Sequence, residues 1–301
     1  MISSDREAFL ALGAAKGLDR YPQRLFVIPG IARVAALLRD GTGMLGYFES
    51  TNDPAAACTL LHEAAAWLRG QGAGDVIGPM DGDTWHRYRV NAGPFETPPF
   101  LLEPVNPPYY AQLWEAAGFE VLETYSSKRI DDITPLLEKL APMDARAVAR
   151  GYRFRPIDPS RLREELTIVW RLSLEIFAGN AFYSGIALEN FLALYDGIER
   201  LLVPELVLFA DDANGEPAGF VFAYPDLVPG VVDYKTIGVT PKHRRGYVGW
   251  ALLHRVYQTA LRMGRRTANH CLMREGNASQ SMDAGHAEEF RRYLLYRAKR
   301  D

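Results

Sequence analysis

The hydrophobic pattern of the first half of the chain alternates between strand-like runs and helix-like stripes. Three apolar runs separated by turn residues predict strands at residues 25–30, 32–38 and 43–48. A short helix is expected around Asp5–Lys16. A longer helix is expected from Ala55 to Arg69, because Asn52-Asp-Pro-Ala is a typical helix start and Gly70 a typical end. A strand at residues 75–78, a helix at 109–117 and a strand at 119–126 complete this half.

The segment from Met80 to Pro108 does not follow this pattern. It contains six prolines and little hydrophobic periodicity. Loops of this length are uncommon in compact domains and are usually functional or packed against something. Two interpretations stay open: the segment covers a cleft between the two halves, or it is a packed structural loop.

The second half contains a more regular succession of elements. Residues 136–151 are predicted to form a helical or irregular connector. After it, the pattern predicts a strand at 152–157, a helix that Ser160 can cap and that runs to Phe177, a helix at 187–202, a hairpin at 205–224, a strand at 231–239, a helix ending at Met263, and strands at 267–273 and 290–297. Asn214-Gly215 marks the hairpin turn, because such turns need positive φ.

Composition and charge exclude several broad classes. The 301 residues suggest about two domains, and 48% hydrophobic and 24% charged residues are ordinary for a globular protein. A net charge of −3 does not suggest nucleic-acid binding. Two cysteines without ligand spacing favour a reducing cytoplasm and argue against a disulfide framework or a metal site. No apolar stretch is long enough to span a bilayer, and the first residues do not look like a signal peptide, so neither membrane nor secretion is expected.

One segment carries a family resemblance. The order of elements in the second half, with Tyr234-Lys-Thr-Ile-Gly-Val-Thr-Pro-Lys-His-Arg-Arg-Gly-Tyr-Val-Gly-Trp-Ala-Leu-Leu and the later Asn277-Ala-Ser, resembles the GNAT acetyltransferase superfamily. In the first half, Asn106-Pro-Pro-Tyr-Tyr-Ala-Gln-Leu-Trp-Glu-Ala-Ala-Gly-Phe-Glu looks like the closing helix and strand of a second such fold.

The resemblance implies an α/β protein with a mixed sheet and two GNAT-like domains in tandem. Residues 1–135 are expected to form a degenerate GNAT-like domain. Residues 136–151 connect it to a complete acetyltransferase domain at 152–301.

For the cofactor, the resemblance implies acetyl-CoA bound along a splayed strand and at the following helix start. A helix N-terminus with free amides suits a pyrophosphate. The family turn is R-x-x-G-x-G/A. Here Arg244 takes the basic position and Gly249 the last glycine, Tyr247 stands where the middle glycine belongs, and Gly246 is one position early. The expected cofactor-binding residues are Ile237, Gly238, Val239, Arg244, Arg245, Gly246, Tyr247, Val248, Gly249, Trp250 and Asn277.

Catalytic and substrate residues carry a weaker signal. Attack by an amine on a thioester needs a proton acceptor for the amine and a proton donor for the thiolate. The tyrosine that the family often uses as donor is missing, because Trp114 replaces it in the first half and residues 284–286 occupy the region in the second. The candidates for catalysis are Asp233, Tyr234 and His286, and those for substrate binding are Glu175 and Tyr183. Because strand positions alternate, only one of Asp233 and Tyr234 can face a ligand.

Other chemistry is less well supported. The pairs Cys58 with His62 and His270 with Cys271 lack further ligands, so no metal is expected. Residues 85–89 are aromatic and basic, but one short patch in an acidic chain does not predict nucleic-acid binding. The helix start of the first half lacks R-x-x-G-x-G, and Asp53 there would repel phosphate. That half is therefore expected to bind no CoA.

The leading hypothesis is a cytoplasmic N-acyltransferase that transfers an acetyl group from acetyl-CoA to a small-molecule or peptide amine. The alternative is a catalytically weak or inactive CoA-binding module, which Tyr247 and the missing tyrosine would explain. An aminoacyltransferase that uses aminoacyl-tRNA is a third hypothesis, against which the net charge argues. A homodimer is left open, and no nucleic-acid or membrane partner is expected.

Overall fold

The computed structural model describes residues 1–15, 17–19, 23–277, 280, 282 and 285–299. These residues form two compact units. The first comprises residues 1–125 and the chain from Arg291 onward, and the second comprises Ser126–Phe290. The chain therefore passes from the first unit to the second and later returns, and both crossings occur within a strand.

The first unit is built on strands β1 (Arg24–Ile28), β2 (Ala32–Arg39), β3 (Thr42–Ser50), β4 (Asp75–Gly78) and β5 (Val90–Gly93). Its helices are α1 (Arg6–Ala11), α2 (Pro54–Gly70) and α3 (Tyr110–Ala116). β1, β2 and β3 are antiparallel neighbours, and β4 joins β3 in parallel. The last part of β12 (Glu288–Ala298) pairs with β4 and β5, so the C-terminal strand completes this sheet.

The core of the first unit lies between this sheet and the apolar face of α2, with Leu60, Leu61, Ala64 and Leu68 buried. Trp114 of α3 stacks on Tyr296 of β12, with ring centroids 5.8 Å apart. The C-terminal strand therefore contributes to the core as well as to the sheet.

The second unit begins within β6 (Phe119–Ile130) and contains β7 (Arg153–Pro156), β8 (Val207–Asp211), β9 (Pro217–Pro225), β10 (Val231–Val239) and β11 (Thr267–Arg274). Its helices are α4 (Thr134–Ala149), α5 (Leu162–Ile176), α6 (Leu188–Leu194) and α7 (Val248–Arg262). The strand order is β6-β11-β10-β9-β8-β7. β10 and β11 are parallel, whereas β10 with β9, β9 with β8 and β8 with β7 are antiparallel. The residues of α4 and α7 form one core on this sheet.

Several predicted elements are confirmed. Asp53 caps α2 by accepting a hydrogen bond from the Ala56 amide at 3.0 Å. The hairpin turn has Gly215 at φ +86°, and its amide donates to the Asp212 carbonyl. The helix expected near residue 5 exists but ends at Ala11, because Gly13 at φ +144° cannot continue it; Lys16 lies outside the described residues.

Other predictions need correction. Ser160 does not cap α5. Instead Asp158 accepts from the Ser160 amide and starts a 3₁₀ turn that leads into the helix. The helix expected at 187–202 stops at Leu194, because Gly197 is left-handed and begins a separate 3₁₀ turn. The segment from Met80 to Pro108 contains the strand β5, and residues 136–151 lie mostly in the regular helix α4.

Candidate functional site

The parallel ladder between β10 and β11 covers only the first part of β10. Four residue pairs run from Val231 opposite Thr267 to Tyr234 opposite His270, although β10 continues to Val239. On its other edge, β10 stays paired with β9 to its end. Beyond Tyr234 the two parallel strands therefore separate, and we call the opening along residues 236–239 the split. A split of this kind presents strand backbone to an extended ligand.

A β-bulge at the start of the split decides which side chains face which helix. The register with β9 shifts just after Tyr234, and the alternation of faces restarts there. Tyr234 before the bulge and Ile237 and Val239 after it all pack in the core that contains α7. Gly238 faces α5, and a Cβ at this position would lie 2.9 Å from the Cγ2 atom of Ile176. The glycine therefore allows α5 to pack directly on the strand.

The turn that follows the split ends in a left-handed residue. Tyr247 immediately precedes α7 and has φ +63° and ψ +9°, a conformation that costs a non-glycine residue about 1–2 kcal/mol. No side chain of the described residues caps α7. The amides of Val248, Gly249 and Trp250 lie in the first turn, where a helix offers no carbonyl acceptor and its dipole is positive. This arrangement suits a phosphate group.

The two glycines of the turn have different surroundings. A Cβ at Gly246 would lie 2.6 Å from the hydroxyl of Tyr152, which forms a 2.8 Å hydrogen bond with His243 Nδ1. Gly246 therefore packs against protein. A Cβ at Gly249 would lie 3.4 Å from Met282 Cε and 3.6 Å from Val239 Cγ2, at the end of the split. These are ordinary van der Waals distances, so a side chain at position 249 would meet Met282 and Val239 without a backbone clash.

Positive charge surrounds this turn. Lys242, Arg244 and Arg245 are exposed on it. The guanidinium groups of Arg146 in α4 and of Arg150, its C-cap residue, lie 5.5 and 4.9 Å from the centre of the Tyr247 ring. These distances are typical of cation–π contacts, which stabilise by about 0.5–2 kcal/mol. The turn thus combines uncapped amides with a concentration of cations.

Asp233 and Tyr234 lie at the closed end of the split and are both buried. Asn269 donates from Nδ2 to Asp233 Oδ1 at 2.8 Å. Tyr234 faces the opposite side of the sheet, where its ring contacts those of Tyr257 and His270. Burial, reinforced by Tyr257, raises the pKa of Tyr234 well above its usual value. At neutral pH the phenol is therefore neutral, and its hydroxyl can donate or accept a hydrogen bond.

The structure does not bring the remaining predicted residues to one place. His286 is exposed, and its Nε2 lies 2.5 Å from Lys139 Nζ on α4. Glu175 is exposed near the end of α5. The hydroxyl of Tyr183 donates to the Ser173 carbonyl at 3.1 Å, and burial raises its pKa to about 12. Asn277 lies in the turn that follows β11, where its amide donates to the carbonyl of Arg274.

The first unit contains the same succession of strand, helix and parallel strand in β3, α2 and β4. Here the helix start is occupied, because Asp53 accepts from the amide of Ala56 and Pro54 has no amide hydrogen to offer. A carboxylate at this place also repels phosphate. The start of α7 therefore has amides that no side chain of the described residues caps, whereas the start of α2 is capped by the carboxylate of Asp53.

The space beside β3 is filled as well. The ladder between β3 and β4 ends at Met44 opposite Ile77. The chain after β4 then packs onto β3, so that a Cβ at Gly46 would lie 2.5 Å from the Met80 carbonyl oxygen and 2.9 Å from Asp81 Cα. No comparable split is present along the described residues of β3.

Two arrangements were not evident from the sequence. In the first unit, Asp83 accepts hydrogen bonds from the amides of Trp85 and His86 and lies 2.7 Å from His86 Nδ1. Burial opposes ionisation of Asp83, but the bonds from His86 and the amides outweigh it and hold the pKa below its usual range. In the second unit, the contacts of Arg146 and Arg150 with Tyr247 join residues about 100 positions apart. Only the Asp83-x-x-His86 spacing could have indicated either arrangement.

No group of three or more His, Cys, Asp and Glu side chains in the described ranges is arranged to hold a metal ion. Among the helices of the described residues, none has the length and apolar character needed to cross a bilayer.

Comparison with curated proteins identifies two distant relatives. No protein-family model matches the chain. It is 26% identical to protein YghO of Escherichia coli strain K12 over 196 residues, which are 64% of this chain and 49% of that protein. It is 23% identical to the bacterial ceramide synthase of Caulobacter vibrioides over 193 residues, which are 64% of this chain and 50% of that protein. The chain spans about half the length of these relatives.

Solved structures resemble the fold over most of the chain. A GCN5-related N-acetyltransferase from Sphaerobacter thermophilus aligns with a TM-score of 0.52 and 16% identity, covering 94% of this chain and 82% of that one. A tandem GNAT protein of the clavulanic acid biosynthesis pathway aligns with a TM-score of 0.50 and 16% identity, covering 92% and 84%. With its mixed α/β architecture and these neighbours, the chain has the fold of the GNAT superfamily, and its neighbours include tandem members.

Proposed function

We propose that the second unit binds an acyl-coenzyme A thioester in the split and transfers its acyl group to an amine. The observation that carries this proposal is the continuity of the split with the uncapped start of α7. An extended arm along residues 236–239 would lead to the amides of Val248, Gly249 and Trp250, where a diphosphate meets helix dipole and cations. In the first unit, the space beside β3 is filled by the chain after β4 and the start of α2 is capped by Asp53, which supports placing the coenzyme in the second unit.

The chain's own residues have two tasks in this proposal. The backbone of β10 and the first turn of α7 bind the acyl donor, and the groups at the closed end of the split donate or accept protons and hydrogen bonds. A thioester supplies an activated carbonyl: the new C–N bond forms as the C–S bond breaks, the amine gives up one proton and the departing thiolate takes up one. The protonated Tyr234 can donate a hydrogen bond there, whereas the carboxylate of Asp233 is engaged with Asn269.

The acyl group and the acceptor form the finer part of the proposal. Acetyl-CoA is the first candidate, with a small-molecule or peptide amine as acceptor. A second candidate comes from the relative named a bacterial ceramide synthase, because ceramide formation is N-acylation of a long-chain amino alcohol by a fatty acyl group. Titration with CoA, acetyl-CoA and palmitoyl-CoA, followed by turnover assays with short and long-chain amines, separates the two.

The substitution Gly249→Asp tests the binding site. It places a carboxylate in the first turn of α7, where it favours the helix but repels a diphosphate. We expect CoA affinity to fall by at least about tenfold, measured by isothermal titration, with no loss of thermal stability. Ala55→Asp is the matched control, because it introduces the same charge at the same helical position of α2 in the first unit, where Ala55 is exposed.

Three outcomes discriminate the hypotheses. Wild-type protein that does not bind CoA at millimolar concentration contradicts the proposal, and so does equal weakening by both substitutions. CoA binding that Gly249→Asp abolishes, without turnover of any amine tested, supports the non-catalytic CoA-binding module instead.

A further inference from the structure

Tyr247 occupies a conformation that the turn needs and that its side chain disfavours. Its φ of +63° belongs to the region that glycine enters freely. The orientation of the phenol ring also matters, because a ring on the ligand side of the turn would compete with a phosphate for the amides of α7. Contacts that fix the ring elsewhere therefore decide whether the turn can work with a tyrosine.

Those contacts come from α4. Arg150 lies 4.9 Å and Arg146 5.5 Å from the ring centre, one turn of helix apart. Arg150 also donates from Nη1 to the carbonyl of Arg245 at 2.5 Å, so it holds the backbone of the turn as well as the ring. The two arginines and Tyr247 form what we call the clamp.

The clamp stands on a fixed base. Asp144 of α4 accepts two hydrogen bonds from Arg255 of α7, at 2.8 and 3.2 Å, and lies 3.3 Å from His254 Nδ1. A bidentate pair of this type sets orientation as well as distance. The end of α4 is therefore held at a defined place relative to the start of α7.

We propose that the clamp replaces the missing glycine: Arg146 and Arg150 hold the Tyr247 ring on α4, so that the left-handed turn persists and the amides of α7 stay open to the diphosphate of coenzyme A. This inference rests on the proposed function. Arg146 and Arg150 are positioning residues in it, because they act on the coenzyme through Tyr247.

The main competing explanation is electrostatic. Two arginines near a phosphate site could attract the ligand directly, whatever residue stands at position 247. The explanations differ in one respect. Positioning through the ring is lost when the ring is absent, whereas direct attraction is independent of it.

A double-mutant cycle separates them. The proteins are wild type, Arg146→Ala/Arg150→Ala, Tyr247→Gly and the triple variant, each titrated with CoA by isothermal calorimetry and melted to check folding. We expect the arginine substitutions to weaken CoA binding about tenfold in the tyrosine background and less than about twofold in the glycine background. Tyr247→Gly alone should keep the wild-type affinity within about threefold, since glycine adopts the turn without help.

Controls keep the result interpretable. Arg161→Ala/Arg163→Ala removes two arginines that pair with Glu164 and Glu189 instead, and should leave CoA affinity unchanged. If the double variant at 146 and 150 does not fold, Arg150→Ala alone replaces it in the cycle. Equal loss of affinity in both backgrounds overturns the clamp, while wild-type protein that fails to bind CoA overturns the proposed function.

Discussion

At the scale of single residues, the two buried tyrosines of the second core have opposite hydrogen-bonding states. The hydroxyl of Tyr257 lies 2.9 Å from His270 Nε2. The hydroxyl of Tyr234 is buried and has no hydrogen-bond partner among the described residues. A buried polar group without a partner costs about 1–3 kcal/mol. The unpaired hydroxyl of Tyr234 is therefore expected to lower the stability of the second unit.

This contrast gives a matched pair of predictions. Tyr234→Phe should raise the free energy of unfolding, by about 1 kcal/mol, because it removes only an unsatisfied hydroxyl. Tyr257→Phe should lower it by about 1 kcal/mol, because it removes the hydrogen bond between the Tyr257 hydroxyl and His270. Urea unfolding at pH 7 measures both. A loss of stability in Tyr234→Phe would show that its hydroxyl is satisfied in solution, and a loss of turnover with gained stability would support its proposed catalytic role.

At the scale of elements, the contacts of α4 with the turn before α7 could not be predicted from the sequence. The sequence predicts a helical or irregular connector at residues 136–151, because nothing local shows what these residues contact. By contrast, the strand, turn and helix at 231–262 were predictable, because Pro241, Gly246 and the apolar stripe of α7 are local signals. The conformation of Tyr247 was not predictable, since it depends on arginines from a distant segment.

The attachment of α4 to α7 predicts the effect of Asp144→Ala. Loss of the carboxylate removes two charge-assisted hydrogen bonds from a partly buried pair, and such bonds contribute about 1.5–3 kcal/mol. We expect the free energy of unfolding to fall by about 2 kcal/mol in urea. CoA affinity should fall with it, since the clamp loses its base. Glu120→Ala, which breaks an exposed pair with Lys299, should change stability by less than about 1 kcal/mol.

The proline-rich segment from Met80 to Pro108 packs against β12. Arg291 of β12 is buried and forms an ion pair with buried Glu103 at 3.1 Å. It also donates to the carbonyl and hydroxyl of Thr97 at 2.8 and 2.9 Å. The segment is therefore held from within the first unit by a buried charge network.

At the scale of the whole molecule, this network predicts which substitutions the first unit cannot tolerate. Glu103→Ala leaves the Arg291 guanidinium buried without its carboxylate, which typically costs about 3–5 kcal/mol. Thermal and urea unfolding should both show the loss. The double variant Glu103→Leu/Arg291→Met removes both charges and should recover part of the loss, because the bonds from the Phe100 amide and the Tyr293 hydroxyl to Glu103 are lost in both variants. A double variant as unstable as the single one would contradict the assignment of the cost to the unpaired charge.

Stability at alkaline pH is a second property of the whole molecule. Burial raises the pKa of Tyr183 and of Tyr195 to about 12, and that of Tyr234 well above its usual value. A phenol whose pKa is raised by folding stabilises the protein fully below its unfolded pKa of about 10 and loses that contribution as pH rises through the folded pKa. We therefore expect the urea midpoint to fall between pH 10 and about 12.

Tyr195→Phe is the control for this behaviour. The variant lacks one of the titrating groups, so its midpoint should fall less steeply over the same pH range. Identical slopes for the variant and wild type would show that Tyr195 titrates normally in the folded protein.

The return of the chain to the first unit within β12 has a consequence for biosynthesis. The sheet of the N-terminal unit contains a strand that leaves the ribosome only after every residue of the other unit has been made. Contacts between positions so far apart in sequence slow the completion of a fold. The first unit is therefore synthesised first but can complete its sheet only after β12 has been made. Until then the edge of β4 is unpaired, and a nascent chain would need this edge to be shielded.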